Sequence, residues 1–319
     1  MRARTTSDVL EAAAVLRTGG LVAFATETVY GLGANAFDAR AVAGIFAAKD
    51  RPFFDPLIVH VAGRDQASEL AATALETATA LMDRFWPGPL TLVLPKREVV
   101  PDLVTAGLGT VGIRLPDHEQ ARELIARAGC PVAAPSANLF GHVSPTTAEH
   151  VAEQLGERID VILDGGPCRV GLESTVLDLS EDRPVLLRPG GTTQEAIEAV
   201  IGPIVVRTAA VPGKAAPAPG MLDRHYSPRT KLRFWDPETE VVPRGRVGVL
   251  SLREITCDAR LQTTIALSPS GDLAEAAAGL FAALRRLDAA GLDVILAERF
   301  PDEGLGRAMN DRLRRAAAE

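Results

Sequence analysis

Arg114 lies in Val111-Gly112-Ile113-Arg114-Leu115-Pro116, an otherwise apolar run that reads as a strand. A guanidinium in such a run is buried, and a buried guanidinium needs an anionic partner. Two partners fit: a structural aspartate, or a substrate carboxylate gripped by the planar fork. Lys49 and Arg51 close a helical pattern just before Pro52. They can clamp a phosphate or carboxylate, or merely complement the negative end of a helix. His60 stands inside the apolar run Leu57-Ile58-Val59-His60-Val61. A buried neutral imidazole is the ordinary explanation there, and a ligand contact the alternative. Pro135-Ser136-Ala137-Asn138 follows a strand directly, Ser174-Thr175 opens another, and Arg188-Pro189-Gly190 closes a third. Small polar groups at the carboxyl ends of strands line ligand sites in open α/β sheets, although each of these alone is ordinary turn chemistry. Taken together, cations and hydroxyls at several strand ends indicate a site for small anionic ligands, a phosphate among them.

Other chemistries fit poorly. Ser136 has no G-x-S-x-G context and no assignable His–Asp pair, so it is not read as a nucleophile. The five histidines and three cysteines show no metal-ligand spacing, and the chain has no P-loop string. Gly31-Leu32-Gly33-Ala34-Asn35-Ala36 fits the dinucleotide pattern G-x-G-x-x-A. The intervening Thr26–Tyr30 segment and a helix that opens only near Asp38 make this a poor dinucleotide turn.

The elements that must position these residues alternate. Val9, Leu10, Ala13 and Leu16 share a helical face ending at Gly19-Gly20, and 21–25 reads as a buried strand. Asp38 caps a helix carrying Val42, Ile45 and Phe46. Further strands are expected at 57–61, 91–94, 110–115, 132–134, 160–164, 174–179 and 184–188. Helices are expected at 65–84, 118–128 and 193–201, with Ser144 capping one that begins at Pro145. The late strands lack long helices between them, which implies a mixed α/β sheet. Residues 208–219 have linker composition, and a smaller α/β unit follows.

The chain has 319 residues, 47% hydrophobic and 24% charged, with net charge −7. That composition supports a real core and excludes general disorder. Residues 1–200 carry 17 basic and 26 acidic side chains, net −9, which argues against a nonspecific nucleic-acid binder. No run of 18 apolar residues is present, so no membrane span is expected. Cys130, Cys168 and Cys257 form no disulfide or zinc pattern, and a reducing cytoplasm is the simplest compartment. Only Lys49, Lys96, Lys214 and Lys231 are lysines, against 30 arginines.

Nine strings in order resemble the threonylcarbamoyl-AMP synthases: Ala25–Gly33, Lys49-x-Arg51-Pro52, Pro56–Val61, Trp86–Thr91, Val111–Arg114, Ala134–Asn138, Ser144–Thr146, Glu173–Thr175 and Leu187–Gly190. Pro219-Gly220-Met221 and His225-Tyr226-Ser227-Pro228 are similar to the linker of the longer, two-domain members. The resemblance implies a YrdC-like twisted mixed sheet with a concave cationic cavity at 7–205. It further implies a linker or lid at 206–230 and a Rossmann-like domain at 231–319. It implies synthesis of L-threonylcarbamoyladenylate from L-threonine, bicarbonate or CO2, and ATP with Mg²⁺, releasing pyrophosphate. Tyr226, in the linker, would fold back over ATP. Arg114 would hold the threonine carboxylate, with Thr28, His60, Ser174 and the backbone of Ala134 at its amine and hydroxyl. Lys49, Arg51 and Arg188 would hold phosphates, with Asp55, Thr110, Ser136, Asn138 and Ser144 around the nucleotide. Lys49 and Arg51 are the expected catalytic pair. The family commonly has proline at Ala25 and asparagine at Asp55; an aspartate there would repel triphosphate unless it faces a cation. A downstream tRNA threonylcarbamoyl transferase would complete t6A at position 37 of tRNAs reading codons that begin with A. No membrane and no stable nucleic-acid complex are expected. Two alternatives stand beside this reading: an RNA-binding module, and a carbamoyltransferase acting through carbamoyl adenylate.

Overall fold

A computed structural model describes residues 2–73, 75–208, 217–221, 225–255 and 260–318. Lys214, Cys257 and the middle of the expected linker lie outside the described residues.

The large sheet is built from Arg4–Thr6 (β1), Val22–Phe24 (β2), Gly31–Asn35 (β3), Ile58–His60 (β4), Leu90–Pro95 (β5), Thr110–Arg114 (β6), Val132–Ala133 (β7), Val161–Leu163 (β8), Thr175–Asp178 (β9), Val185–Arg188 (β10) and Val205–Val206 (β11). Its order is β1-β8-β2-β3-β7-β4-β6-β5-β9-β10-β11. Parallel pairs such as β4 with β6 alternate with antiparallel pairs such as β5 with β6, so the sheet is mixed as expected. Helices Val9–Arg17 (α1), Ala39–Lys49 (α2), Arg64–Leu70 (α3), Glu76–Phe85 (α4), Asp102–Thr105 (α5), Glu119–Ala128 (α6), Ala148–Leu155 (α7) and Gln194–Ile201 (α8) complete this unit. A second, wholly parallel sheet contains Leu232–Phe234 (β12), Val247–Ser251 (β13), Leu261–Ala266 (β14) and Val294–Ala297 (β15), in the order β12-β15-β13-β14. Leu273–Ala289 (α9) and Gly304–Ala316 (α10) pack on it.

Local chemistry sets several boundaries. Asp38 accepts from the amides of Arg40 and Ala41, and so starts α2 as its side chain should. The chain leaves α2 through Asp50, which adopts the left-handed conformation. That turn lets the Arg51 amide donate to the Phe46 carbonyl.

Three expectations are corrected. The segment 65–84 is two helices, because Ala71 bridges to Lys96 and Ala72 donates to the Pro95 carbonyl, tying the chain to β5. Leu10 is 59% exposed, while Ala13 and Leu16 are buried as expected, together with Ala12. Thr147, not Ser144, caps α7, since Ser144 donates to the Glu173 carboxylate. In keeping with the poor dinucleotide context of their sequence, Gly31 and Gly33 lie in β3, antiparallel to β2. A Cβ at Gly33 would meet Val132 at 2.7 Å and Phe24 at 2.8 Å, so this glycine serves close packing, not a pyrophosphate.

The two units share their cores. Val29, Val143 and Leu172 of the first pack with Leu280, Phe281 and Leu284 of α9. The Cα of Gly171 lies so near α9 that a Cβ would meet Ala278 at 2.5 Å.

Candidate active site

One cavity of about 510 Å³, mouth included, collects the strand ends. Thr26, Thr28 and Gly31 come from β3 and the segment before it, His60 from β4, and Arg114 from β6. Ala134 and Ser136 follow β7, Glu173 and Ser174 precede β9, Arg188 ends β10, and Arg51 follows α2. Pro219, Gly220, His225 and Tyr226 close one wall.

Arg114 and Arg51 are each held through Nε and Nη2, whereas Arg188 is held through all three of its nitrogens. Arg114 is buried, with Nη2 2.7 Å from Glu27 and Nε donating to the Gly88 carbonyl. Its buried partner is thus a carboxylate of the chain, while Nη1 keeps no protein partner among the described residues. Arg51 repeats the arrangement: Nε and Nη2 bind the carbonyls of Asp55 and Pro56, and Nη2 lies 2.9 Å from the Asp55 carboxylate. Asp55 therefore faces a cation, although burial pushes its pKa up against the pull of Arg51. Arg188 donates to the Ser174 carbonyl and hydroxyl and to the Pro219 carbonyl. Ser174 shares a 2.7 Å hydroxyl contact with Thr91, and Thr26 shares one of 2.8 Å with Thr28.

Lys49 does not line the cavity. It is buried behind Ser136, donating to the carbonyls of Ser136 and Asn138. Burial and then the charge of Arg51 push its pKa well below the ordinary lysine value, against the pull of Asp55. Asn138 in turn donates to the carbonyls of Leu139 and His142, so both residues fix the loop after β7. Ser144 is also behind the wall, bonded to Glu173 at 2.5 Å. Thr110 opens onto an adjoining cavity of about 300 Å³ that shares Ile58 and Pro219 with the first.

His60 is held neutral: burial, then the Arg114 charge, bring its pKa down to about 3 against hydrogen bonds to the backbone of Ile58 and Val132. His225 is lowered in the same way, by burial and by Arg51, Lys49, Arg188 and Arg312.

Sequence reasoning gave no role to Thr26, Glu27, Glu173 or Arg312. The first three were within the quoted strings, but which carboxylate a buried guanidinium meets is a tertiary fact. Arg312 comes from α10, pairs with Glu173 at 2.8 Å, and had no local signal.

Residues 14–190 match a family model described as "Telomere recombination", and residues 192–318 match "Threonylcarbamoyl-AMP synthase, C-terminal domain". The threonylcarbamoyl-AMP synthase of Pyrococcus abyssi is 49% identical, covering 96% of this chain and 93% of the relative. That of Bacillus subtilis is 48% identical, covering 97% and 92%. The chain belongs to the threonylcarbamoyl-AMP synthase family. A crystal structure of P. abyssi Sua5 complexed with L-threonine superposes with TM-score 0.89 at 44% identity, covering 99% of this chain and 98% of that one. Full-length HypF in a phosphate- and nucleotide-bound form is 21% identical with TM-score 0.52 over 59% of this chain and 30% of that one, a likeness of fold alone. Among the described residues, no helix is long and apolar enough to cross a membrane.

Proposed function

We propose that this chain makes L-threonylcarbamoyladenylate and pyrophosphate from L-threonine, bicarbonate or CO2, and ATP, for t6A formation at position 37 of tRNAs that read codons beginning with A. The observation that carries the reading is the convergence of Arg51, Arg114 and Arg188 on one hollow, with Nη1 of Arg51 and of Arg114 unpaired among the described residues. The family likeness supports the same chemistry.

In this account the threonine carboxylate takes the free edge of Arg114. Thr28, Ser174, neutral His60 and the Ala134 backbone surround the amine and hydroxyl. The unprotonated amine nitrogen bonds to CO2 and loses one N–H proton to solvent, giving a carbamate. A carbamate oxygen then bonds to the α-phosphorus as the bond to the β-phosphate oxygen breaks, and pyrophosphate leaves. Both reactants are anionic, so the bonded framework of Arg51 and Arg188 offsets their repulsion at fixed positions. No covalent nucleophile is needed, because positioning can supply on the order of 7–11 kcal/mol of such a barrier. Lys49 acts from behind, holding the Ser136–Asn138 loop against the nucleotide. Ser136, Asn138, Ser144, Thr110 and Asp55 frame the nucleotide half, and Tyr226 covers it. Mg²⁺ would arrive as the counter-ion of ATP. The cytoplasm and a downstream tRNA threonylcarbamoyl transferase complete the reading.

The test is pyrophosphate release with threonine, bicarbonate or ATP omitted one at a time. Release that needs all three is expected. Release that survives without threonine would overturn the proposal.

A further inference from the structure

Arg312 belongs to α10 of the C-terminal unit, yet it is wholly buried beside the cavity wall. Its Nε donates to Glu173 at 2.8 Å and its Nη1 to Asp311 at 2.8 Å. Arg315, one turn on, binds the same Asp311 carboxylate and the Thr208 carbonyl. The guanidinium carbon of Arg312 also lies 5.1 Å from the centre of the Tyr226 ring. Phe281 of α9 stacks on that ring at 5.6 Å, and His225 packs edge-on at 4.1 Å. Tyr226 thus sits between two residues of the C-terminal unit, and it does so with a φ of 61°. A bulky residue in the left-handed region persists only where its surroundings fix it.

Glu173 needs Arg312 for a second reason. It lines the cavity, and one of its oxygens accepts from Ser144 while the other accepts from Arg312. Without Arg312 a buried carboxylate would face the hollow that is to receive a triphosphate. With Asp311 included, the six buried cations Lys49, Arg51, Arg114, Arg188, Arg312 and Arg315 oppose the four carboxylates Glu27, Asp55, Glu173 and Asp311, so removing Arg312 halves the positive excess.

We infer that Arg312 is a positioning residue of the nucleotide half: it cancels the Glu173 charge and fixes the Tyr226 ring, so the C-terminal unit is part of the catalytic device. The inference rests on the proposed reaction. The experiment compares Arg312→Met, Arg312→Lys and the double variant Glu173→Gln/Arg312→Met in the full chain. Pyrophosphate release is measured against ATP concentration, and threonine affinity by calorimetry. Arg312→Met should raise the KM for ATP by about tenfold or more, while threonine affinity stays within about threefold. Arg312→Lys, which keeps the charge and loses the fork, should fall between it and the wild type. The double variant should regain most of the ATP affinity, because no carboxylate is left unpaired. If Arg312→Met has lost threonine binding, and so its fold, the double variant and Arg312→Lys decide. An unchanged KM in Arg312→Met, or a double variant as impaired as the single, overturns the inference. Wild-type protein that releases no threonine-dependent pyrophosphate overturns the proposed reaction instead.

Discussion

Replacing Arg114 by glutamine separates holding the fold from holding the substrate. Arg114 and Glu27 are 3% and 1% exposed and 2.7 Å apart. Removing either leaves the other charged, buried and unpaired, at a cost of about 3–5 kcal/mol. Arg114→Gln and Glu27→Gln should therefore lower the melting temperature alike, and the double variant should recover much of the loss. Threonine binding should not follow that pattern. Arg114→Gln removes a charge-assisted contact of about 1.5–3 kcal/mol, so the Kd for threonine rises about 10- to 150-fold. Glu27→Gln keeps the guanidinium and takes away its internal competitor, so threonine binds at least as tightly as in the wild type. The double variant regains stability without regaining affinity. Thermal unfolding and threonine calorimetry on the three variants give both quantities. Normal threonine affinity in Arg114→Gln, or its return in the double variant, would refute the assignment of Arg114 to the substrate carboxylate.

Lys49→Met should cut turnover by at least about tenfold while threonine affinity holds, since it releases the Ser136 and Asn138 carbonyls, each a charged hydrogen bond; steady-state kinetics checks this, and unchanged turnover would contradict it. Stability should fall on acidification. His60 has a folded pKa of about 3, below its unfolded value, so the unfolded chain binds the extra proton and stability present above about pH 6.5 is lost as the pH falls towards 3. The loss from this residue is about 2 kcal/mol between pH 8 and pH 5, and denaturant curves of His60→Gln should show that much less pH dependence. Gly33→Ala should destabilise by about 1–3 kcal/mol, because its Cβ would press on Val132 and Phe24; an unchanged melting temperature would contradict the packing argument.

Much of this was legible in the sequence because it is local. Asp38 had to cap something, the apolar runs around His60 and Arg114 had to be buried, and the Ser136 and Ser174 hydroxyls fell at strand ends. What was not legible is set by residues far apart in the chain. The pattern over 65–84 reads as one helix until Lys96 bridges to Ala71. Ser144 before Pro145 looks like a cap until Glu173 accepts its hydroxyl. Arg114 allowed two partners, and the protein supplies Glu27 while leaving one edge of the guanidinium for another. Arg312 stands among Arg307, Arg314 and Arg315 with no local signal to single it out, and only the packing of α10 against the cavity wall buries it.

The most direct measurement follows two labels into one molecule. Incubation with L-threonine, [¹³C]bicarbonate and ATP labelled at the α-phosphorus should yield a single adenylate carrying both labels, in step with pyrophosphate. An adenylate without ¹³C, or release of inorganic phosphate with ADP in place of pyrophosphate, would contradict the claim that this cavity joins a threonine carbamate to the α-phosphorus.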